Sequence, residues 1–357
     1  MADVLTLFEK LVNYLIENQA SDLHLIPDYP PVVRKNRKLY SITEQKLTAQ
    51  HTSAIAQMLM GEEDYRKFLQ IKDMDFAYTF NDTVRFRVTA YFTFGKPALA
   101  LRVIPGRIKT ISELNLPELL ATLPIQKDQG LILVVGPTGH GKSTTIASMI
   151  NLINQYQFKH IITLEDPIEY IFPKGKSIVS QREVGDDVQD ILLSLRNILR
   201  EDPDVVLIGE MRDPETIESV LTIAETGHLA FSTLHTYSAS QTVERIVQSF
   251  SDEKQSTVRM QLSYLLTAII SQRLVITKDQ GVLPAVEILL ANNAVRNLIR
   301  EGKFHQIDNV IKTSLDEGMM PLEYSLAKLV KSGKVSLEEA ARHAIYPKEL
   351  EYWVNNV

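Results

Sequence analysis

Apolar positions along the chain change their period twice. Leu5, Phe8, Leu11, Val12, Leu15 and Ile16 recur at helical spacing, which predicts an amphipathic helix over residues 4–18 on the surface of a first domain. From Asp75 the period falls to two. Phe76, Tyr78 and Phe80 lead to a turn at Asn81-Asp82, and Val84, Phe86, Val88 and Ala90 then alternate with Arg85, Arg87, Thr89 and Tyr91. This pattern predicts a hairpin feeding a small sheet. A further strand is expected over Ala98–Ile104, after which Pro105-Gly106-Arg107 breaks the alternation. The expected first domain is therefore a small α+β unit over residues 1–105, followed by a linker at 106–112.

A different texture starts at Leu114, Leu116, Leu119 and Leu120, and the second domain is expected over residues 113–357. Leu131-Ile132-Leu133-Val134-Val135, His160-Ile161-Ile162-Thr163-Leu164 and Val205-Val206-Leu207-Ile208 are strands without alternation, separated by helical stretches. Strands apolar on both faces belong to a parallel sheet covered on both sides, so the fold class expected is α/β. Beyond Glu287 the pattern is helical, with turns at Glu301-Gly302-Lys303, Glu317-Gly318 and Ser332-Gly333. A helical C-terminal extension is expected from about residue 288.

The chain of 357 residues exceeds one ordinary core, which rarely grows beyond ~250–300 residues, and so agrees with two domains. Its 38 basic and 44 acidic side chains give a net charge of -6, which argues against a nucleic-acid partner. The absence of cysteine removes disulfides, thiolate metal sites and cysteine nucleophiles. Met1-Ala2-Asp3-Val4 carries an acid where a secretory signal carries a base, and no apolar run reaches the ~18–20 residues that span a bilayer. The expected location is cytoplasmic, with no direct membrane insertion.

One stretch carries unambiguous chemistry. The strand 131–135 runs into Gly136-Pro137-Thr138-Gly139-His140-Gly141-Lys142-Ser143-Thr144, and Thr145 to Ile153 continue as a helix. Glycines at these places let backbone N–H groups turn inward around an anion, and the helix N-terminus adds its positive end. Lys142 is expected on the β- and γ-phosphates of ATP, and the Ser143 hydroxyl on Mg²⁺. The His140 side chain is expected to point to solvent while its backbone binds.

Two further strand ends supply acids. Leu164-Glu165-Asp166-Pro167-Ile168-Glu169 follows one apolar strand, and Gly209-Glu210 follows another. In a doubly wound sheet the carboxyl ends of the strands face the ligand, where a carboxylate can orient and deprotonate an attacking water. Glu210 takes the place of the usual Walker B aspartate, on Mg²⁺ directly or through water. His228 and His235 flank the apolar stretch Leu229–Leu234; their spacing of seven puts them on opposite faces if the strand alternates throughout.

These stretches resemble the secretion-ATPase superfamily and, within it, the pilus retraction branch, over nearly the whole chain. Gly136–Thr145 matches the Walker A box, Ile162–Glu169 the Asp box, Asp202–Asp213 the atypical Walker B box and Glu225–Thr236 the His box. The resemblance implies a PAS-like N-terminal domain joined to a RecA-like ATPase domain, with six protomers in a ring. It implies Glu169 as general base, Glu210 beside Mg²⁺, and His228 and His235 as His-box residues. Arg85, Arg87 and Arg102 fall where family members place arginines that reach the γ-phosphate. Ala294-Val295-Arg296-Asn297-Leu298-Ile299-Arg300-Glu301-Gly302-Lys303 is similar to the motif that retraction ATPases need for retraction, although isoleucine is more usual than Val295.

Pilus assembly and type II secretion ATPases usually carry a longer N-terminal region, and many carry a four-cysteine site; this chain has neither feature. The function implied is Mg²⁺-dependent ATP hydrolysis that drives pilus disassembly and twitching motility. The expected partners are further copies of the chain, an inner-membrane pilus platform protein and a paralogous ATPase. Two alternatives stay open: an accessory member of the branch that depends on a partner motor, and another secretion-system ATPase.

Overall fold

Two-residue alternation in one part of the chain and unbroken apolar strands in the other build two different sheets. The structure, a computed structural model, describes residues 2–35, 38–81, 84–104 and 106–356. Met1, the expected turn residue Asp82 and the pattern-breaking Pro105 lie outside the described residues. The chain divides into two compact units, Met1–Arg107 and Ile108–Val357. Ile108 and Ile111, both within the expected linker 106–112, are buried, and Ile111 joins the core of the second unit.

The first unit comprises α1 (Ala2–Glu17), β1 (Asp22–Leu25), β2 (Val32–Lys35), β3 (Lys38–Ser41), α2 (Ala49–Ile71), β4 (Asp73–Phe80), β5 (Val84–Thr93) and β6 (Lys96–Ile104). Among the described residues the strands form one antiparallel sheet in the order β3-β2-β1-β6-β5-β4. One sheet face is apolar. Leu23, Leu101, Val88 and Phe86 pack there with Phe8, Leu11 and Leu15 of α1 and Ile55 and Phe68 of α2. Each such side chain, fully buried, contributes roughly 1.5–3 kcal/mol. Helix α2 was not evident from periodicity because Gly61, with φ 76°, interrupts it and splits its apolar face. Thr48 starts it through a reciprocal cap with His51.

The second unit begins with α3 (Leu119–Gln126), β7 (Gly130–Val135), α4 (Lys142–Tyr156), β8 (His160–Glu165), β9 (Ile178–Glu183), α5 (Ile191–Ile198), β10 (Val205–Ile208) and α6 (Pro214–Glu225). It continues with β11 (Leu229–Leu234), α7 (Ala239–Gln248), α8 (Asp252–Leu265), β12 (Leu266–Ile276) and β13 (Val282–Leu290). Helices α9 (Asn293–Glu301), α10 (Ile307–Thr313), α11 (Leu322–Lys331), α12 (Leu337–His343) and α13 (Pro347–Asn356) complete it.

The sheet order is β13-β12-β7-β11-β10-β8-β9, with every neighbouring pair parallel except β12 and β13. Successive strand residues enter different cores: Leu131 and Leu133 pack under α5 to α8, while Ile132 and Val134 pack under α3 and α4. Both faces are thus covered, which explains the unbroken apolar runs. The helical extension starts later than the expected residue 288. Val286, Ile288 and Leu289 are buried in β13, whose pairing with β12 extends to Leu290. Gly302 and Gly333 stand in the left-handed region at the ends of α9 and α11, as the turn signals required.

Candidate active site

Among the described residues, six mutually parallel strands of the second sheet deliver their carboxyl ends to one edge. Strand β7 ends at Val135, opposite Leu234 at the end of β11, and the phosphate loop leaves the sheet there. The loop closes on α4, whose N-cap Gly141 has φ 81° and no side-chain cap. The first N–H groups of α4 consequently lack intrahelical acceptors and suit an anion. Gly136 has φ 143°, and a Cβ there would lie 2.4 Å from the Gln272 carbonyl oxygen, so only glycine fits.

Lys142 is buried, and its Nζ donates to the carbonyls of Gly136 at 2.9 Å and Pro137 at 3.1 Å. Burial holds its ammonium below the usual lysine range, against the opposite pull of the Glu210 and Glu169 carboxylates. The same Nζ is 3.3 Å from Nδ1 of His235, whose Nε2 is 2.9 Å from Oε1 of Glu210. Thr138 reaches that Nδ1 at 3.5 Å. Lys142, His235 and Glu210 therefore form a continuous chain of polar contacts across the ends of β7, β11 and β10. Glu210 also accepts from Nε of Arg212 at 2.8 Å, and Arg212 lies 3.8 Å from Asp166.

Glu169 is exposed in the loop after β8. The next residue, Tyr170, meets the Thr144 hydroxyl at 2.7 Å, while Gln181 of β9 donates to the Tyr170 carbonyl at 2.7 Å and accepts from Phe172 N–H at 2.9 Å. The loop bearing Glu169 is thereby tied both to α4 and to β9. Burial pushes the nearby Glu165 carboxyl up to about 7, with Thr163 donating to it at 2.7 Å.

Two expectations need correction. The His140 ring does not point to solvent: its Nδ1 accepts the Leu274 N–H of β12 at 2.9 Å. His228 does not join the phosphate site. It precedes β11, at the end where its carbonyl accepts from Gly130 N–H, and its Nδ1 lies 3.0 Å from both the Ile223 carbonyl and the Thr226 hydroxyl. A six-residue strand separates the two histidines along its length, so they stand at opposite ends of β11.

Arg85, Arg87 and Arg102 of the first unit share the sheet face turned away from its apolar core. Arg87 and Arg102 are cross-strand partners, Asp22 pairs with Arg102 on the other side, and Arg85 lies two residues along β5. Arg102, with its side chain 71% exposed, donates from Nε to Asp22 at 2.8 Å. Burial raises the Asp22 carboxyl, but hydrogen bonds from Ser21 and Arg102 outweigh it and hold the group below the usual range. Arg87 contacts Asp75 at 3.3 Å. In the motif at 294–303, Arg296 is spent inside the unit, donating to the carbonyls of Ser263, Tyr264 and Leu266 where α8 ends.

Among the described residues no cluster of three or more His, Asp or Glu side chains could hold a metal. Magnesium beside phosphates needs few protein oxygens, and the hard oxygen donors of Ser143 and Glu210 suit it. Sequence reasoning missed Gln272, Arg212 and Tyr170 as parts of this edge. Arg212 and Tyr170 each adjoin a recognised box, whereas Gln272 carried no local signal.

Comparison with known proteins identifies the family. Residues 1–281 match the family model described as Type II/IV secretion system protein. The chain is 43% identical to the Twitching motility protein of Neisseria gonorrhoeae over 88% of this chain and 84% of that protein. It is 39% identical to the Type IV pilus retractation ATPase PilT of Pseudomonas aeruginosa over 95% of this chain and 98% of the relative. A crystal structure of the pilus retraction motor PilT with bound ADP superposes with a TM-score of 0.90 at 43% identity, covering 96% of this chain and 98% of that one.

Proposed function

The chain belongs to the type II/IV secretion system protein family and is an ATPase of its pilus-retraction kind, and from that premise we propose how its residues perform the work. ATP lies in the loop Gly136–Thr144, with Lys142 leaving the loop's own carbonyls for the β- and γ-phosphates. Ser143 and Glu210 hold Mg²⁺, which when bound neutralises charge on the phosphate oxygens. Glu169 accepts the proton of the attacking water. His235, in contact with both Lys142 and Glu210, reports whether the γ-phosphate is present. Arg85, Arg87 and Arg102 complete the site when six copies assemble into a ring.

The observation that carries this reading is the Lys142–His235–Glu210 chain at the carboxyl edge of the sheet. It links the phosphate-binding lysine to the Walker B acid through one imidazole. ATP binding would draw Lys142 toward the phosphates and alter that link, and hydrolysis would alter it again and move the segments attached to it, so that chemistry becomes displacement. The motor works at the cytoplasmic face of the membrane, on an inner-membrane platform protein and beside a paralogous ATPase, and withdraws pilus subunits to give twitching motility. Among the described residues no helix is long and apolar enough to cross a membrane, so attachment through such partners accounts for that location.

The test of the base is Glu169→Gln, which keeps size and removes proton affinity. Turnover should fall by about a hundred-fold or more with ATP binding retained, in the range typical of a lost general base. Wild-type turnover would remove Glu169 from the role.

A further inference from the structure

We infer that Gln272 of β12 is a positioning residue of the nucleotide site, the side chain that holds the phosphate loop in its anion-binding shape. The inference rests on the reading of residues 136–144 as that loop. Strand β12 runs parallel to β7 with Ser271 opposite Val135, so Gln272 arrives beside Gly136, where the chain leaves the sheet. The side chain is buried, at 3% exposure, and both ends of its amide are used. Its Nε2 donates to the His140 carbonyl at 2.8 Å, and its Oε1 accepts from the Thr145 hydroxyl at 2.7 Å. A carbonyl oxygen can only accept, so the amide nitrogen must face His140, and the oxygen is left for Thr145.

These anchors bracket Gly141-Lys142-Ser143-Thr144, the segment whose N–H groups and side chains would meet the phosphates. The amide is therefore a strut from the crest of the loop to the first turn of α4. It also sets an orientation. A trans peptide points its C=O and N–H in opposite directions, so drawing the His140 carbonyl toward Gln272 turns the Gly141 N–H away from it. The loop's composition fits the strut: a Cβ on Gly141 would lie 2.8 Å from Gln272 Nε2, and one on Gly136 would lie 2.4 Å from the Gln272 carbonyl oxygen. Gly141 thus lies against the Gln272 amide itself and Gly136 against the main chain of the same residue. The Leu274 N–H, donating to His140 Nδ1 at 2.9 Å, fastens the same residue a second time. A loop held in its binding shape before nucleotide arrives loses less entropy on binding, and that saving appears as affinity.

The test compares purified full-length wild type with Gln272→Ala, Gln272→Glu, Thr145→Val and the Gln272→Ala/Thr145→Val double variant. ADP affinity, kcat and KM for ATP, and the melting temperature are measured, with Lys142→Ala as control. Gln272→Glu keeps the acceptor for Thr145 but sets a carboxylate against the His140 carbonyl. Both Gln272 variants should weaken ADP binding roughly ten-fold or more and raise KM more than they lower kcat, the size expected when buried polar groups lose their partners. The double variant should be scarcely worse than its worse parent, because both changes remove one strut. A lowered melting temperature with unchanged ADP affinity well below it would make Gln272 merely structural and overturn the inference. Should Gln272→Ala not fold, Thr145→Val decides alone: unchanged ADP affinity overturns the inference, and weakened affinity supports it. If Lys142→Ala also binds ADP and hydrolyses ATP like wild type, the nucleotide reading of the loop itself fails. If only the Gln272 and Thr145 variants match wild type, this inference falls and that reading stands.

Discussion

The two ends of β11 carry the same residue type and have opposite fates. At the carboxyl end His235 bridges Lys142 and Glu210. At the amino end His228 ties the last turn of α6 to the start of the strand through Ile223 and Thr226. In a parallel sheet all strands share one direction, so loops that can meet a common ligand gather at one edge, and the other edge carries connections. The difference between the histidines is one of address, and the sheet assigns the address.

Substitution at each end should separate the two roles. His235→Ala should lower kcat by about a hundred-fold, the scale of one lost polar group at a reacting phosphate, with little change in melting temperature. His228→Ala should instead cost about 1 kcal/mol of stability, the net worth of a hydrogen-bond contact, and leave kcat within a few-fold of wild type. Steady-state kinetics and denaturant titration of both variants measure this contrast, and a large kcat loss in His228→Ala would erase it.

A smaller effect sharpens the picture within the carboxyl edge itself. Glu287 of β13 lies opposite Ser271, is buried, and accepts the Ala239 N–H of α7 at 2.6 Å, while Glu210 stands at the site. Burial, with added repulsion from Asp308 and Glu323, pushes its carboxyl up to about 8, although Arg273 pulls the other way. The folded chain therefore holds a proton that the unfolded chain releases near the ordinary glutamate value. Its contribution to stability is full below that value and is lost as pH rises toward about 8. Glu287→Gln keeps the acceptor and removes the titration. Denaturant unfolding across that window should show a shallower decline than wild type; an identical slope would mean that Glu287 does not titrate there.

Local signals were legible where chemistry and strand ends coincide in sequence. Gly136 to Ser143 follows its strand directly, and Glu210 follows four apolar residues, so pattern and motif reinforce each other. What could not be read depends on pairing between distant segments. Gln272 lies far along the chain from His140 and meets it only because β12 pairs with β7. His140 looked like a solvent-facing side chain because nothing near it in sequence announces the Leu274 N–H. The end of β13, Ile288 to Leu290, read as the start of the helical part because a short apolar run is compatible with either state until a neighbour claims its backbone. Helix α2 escaped because Gly61 breaks its period.

The central claim is that ATP is hydrolysed at the carboxyl edge of the second sheet by a loop centred on Lys142. The most direct measurement is phosphate release from Mg-ATP by the purified full chain, wild type beside Lys142→Ala, with oligomeric mass recorded in the same samples. The account predicts steady release by a hexameric wild type and none above background from a folded Lys142→Ala variant. Equal release from both would contradict it.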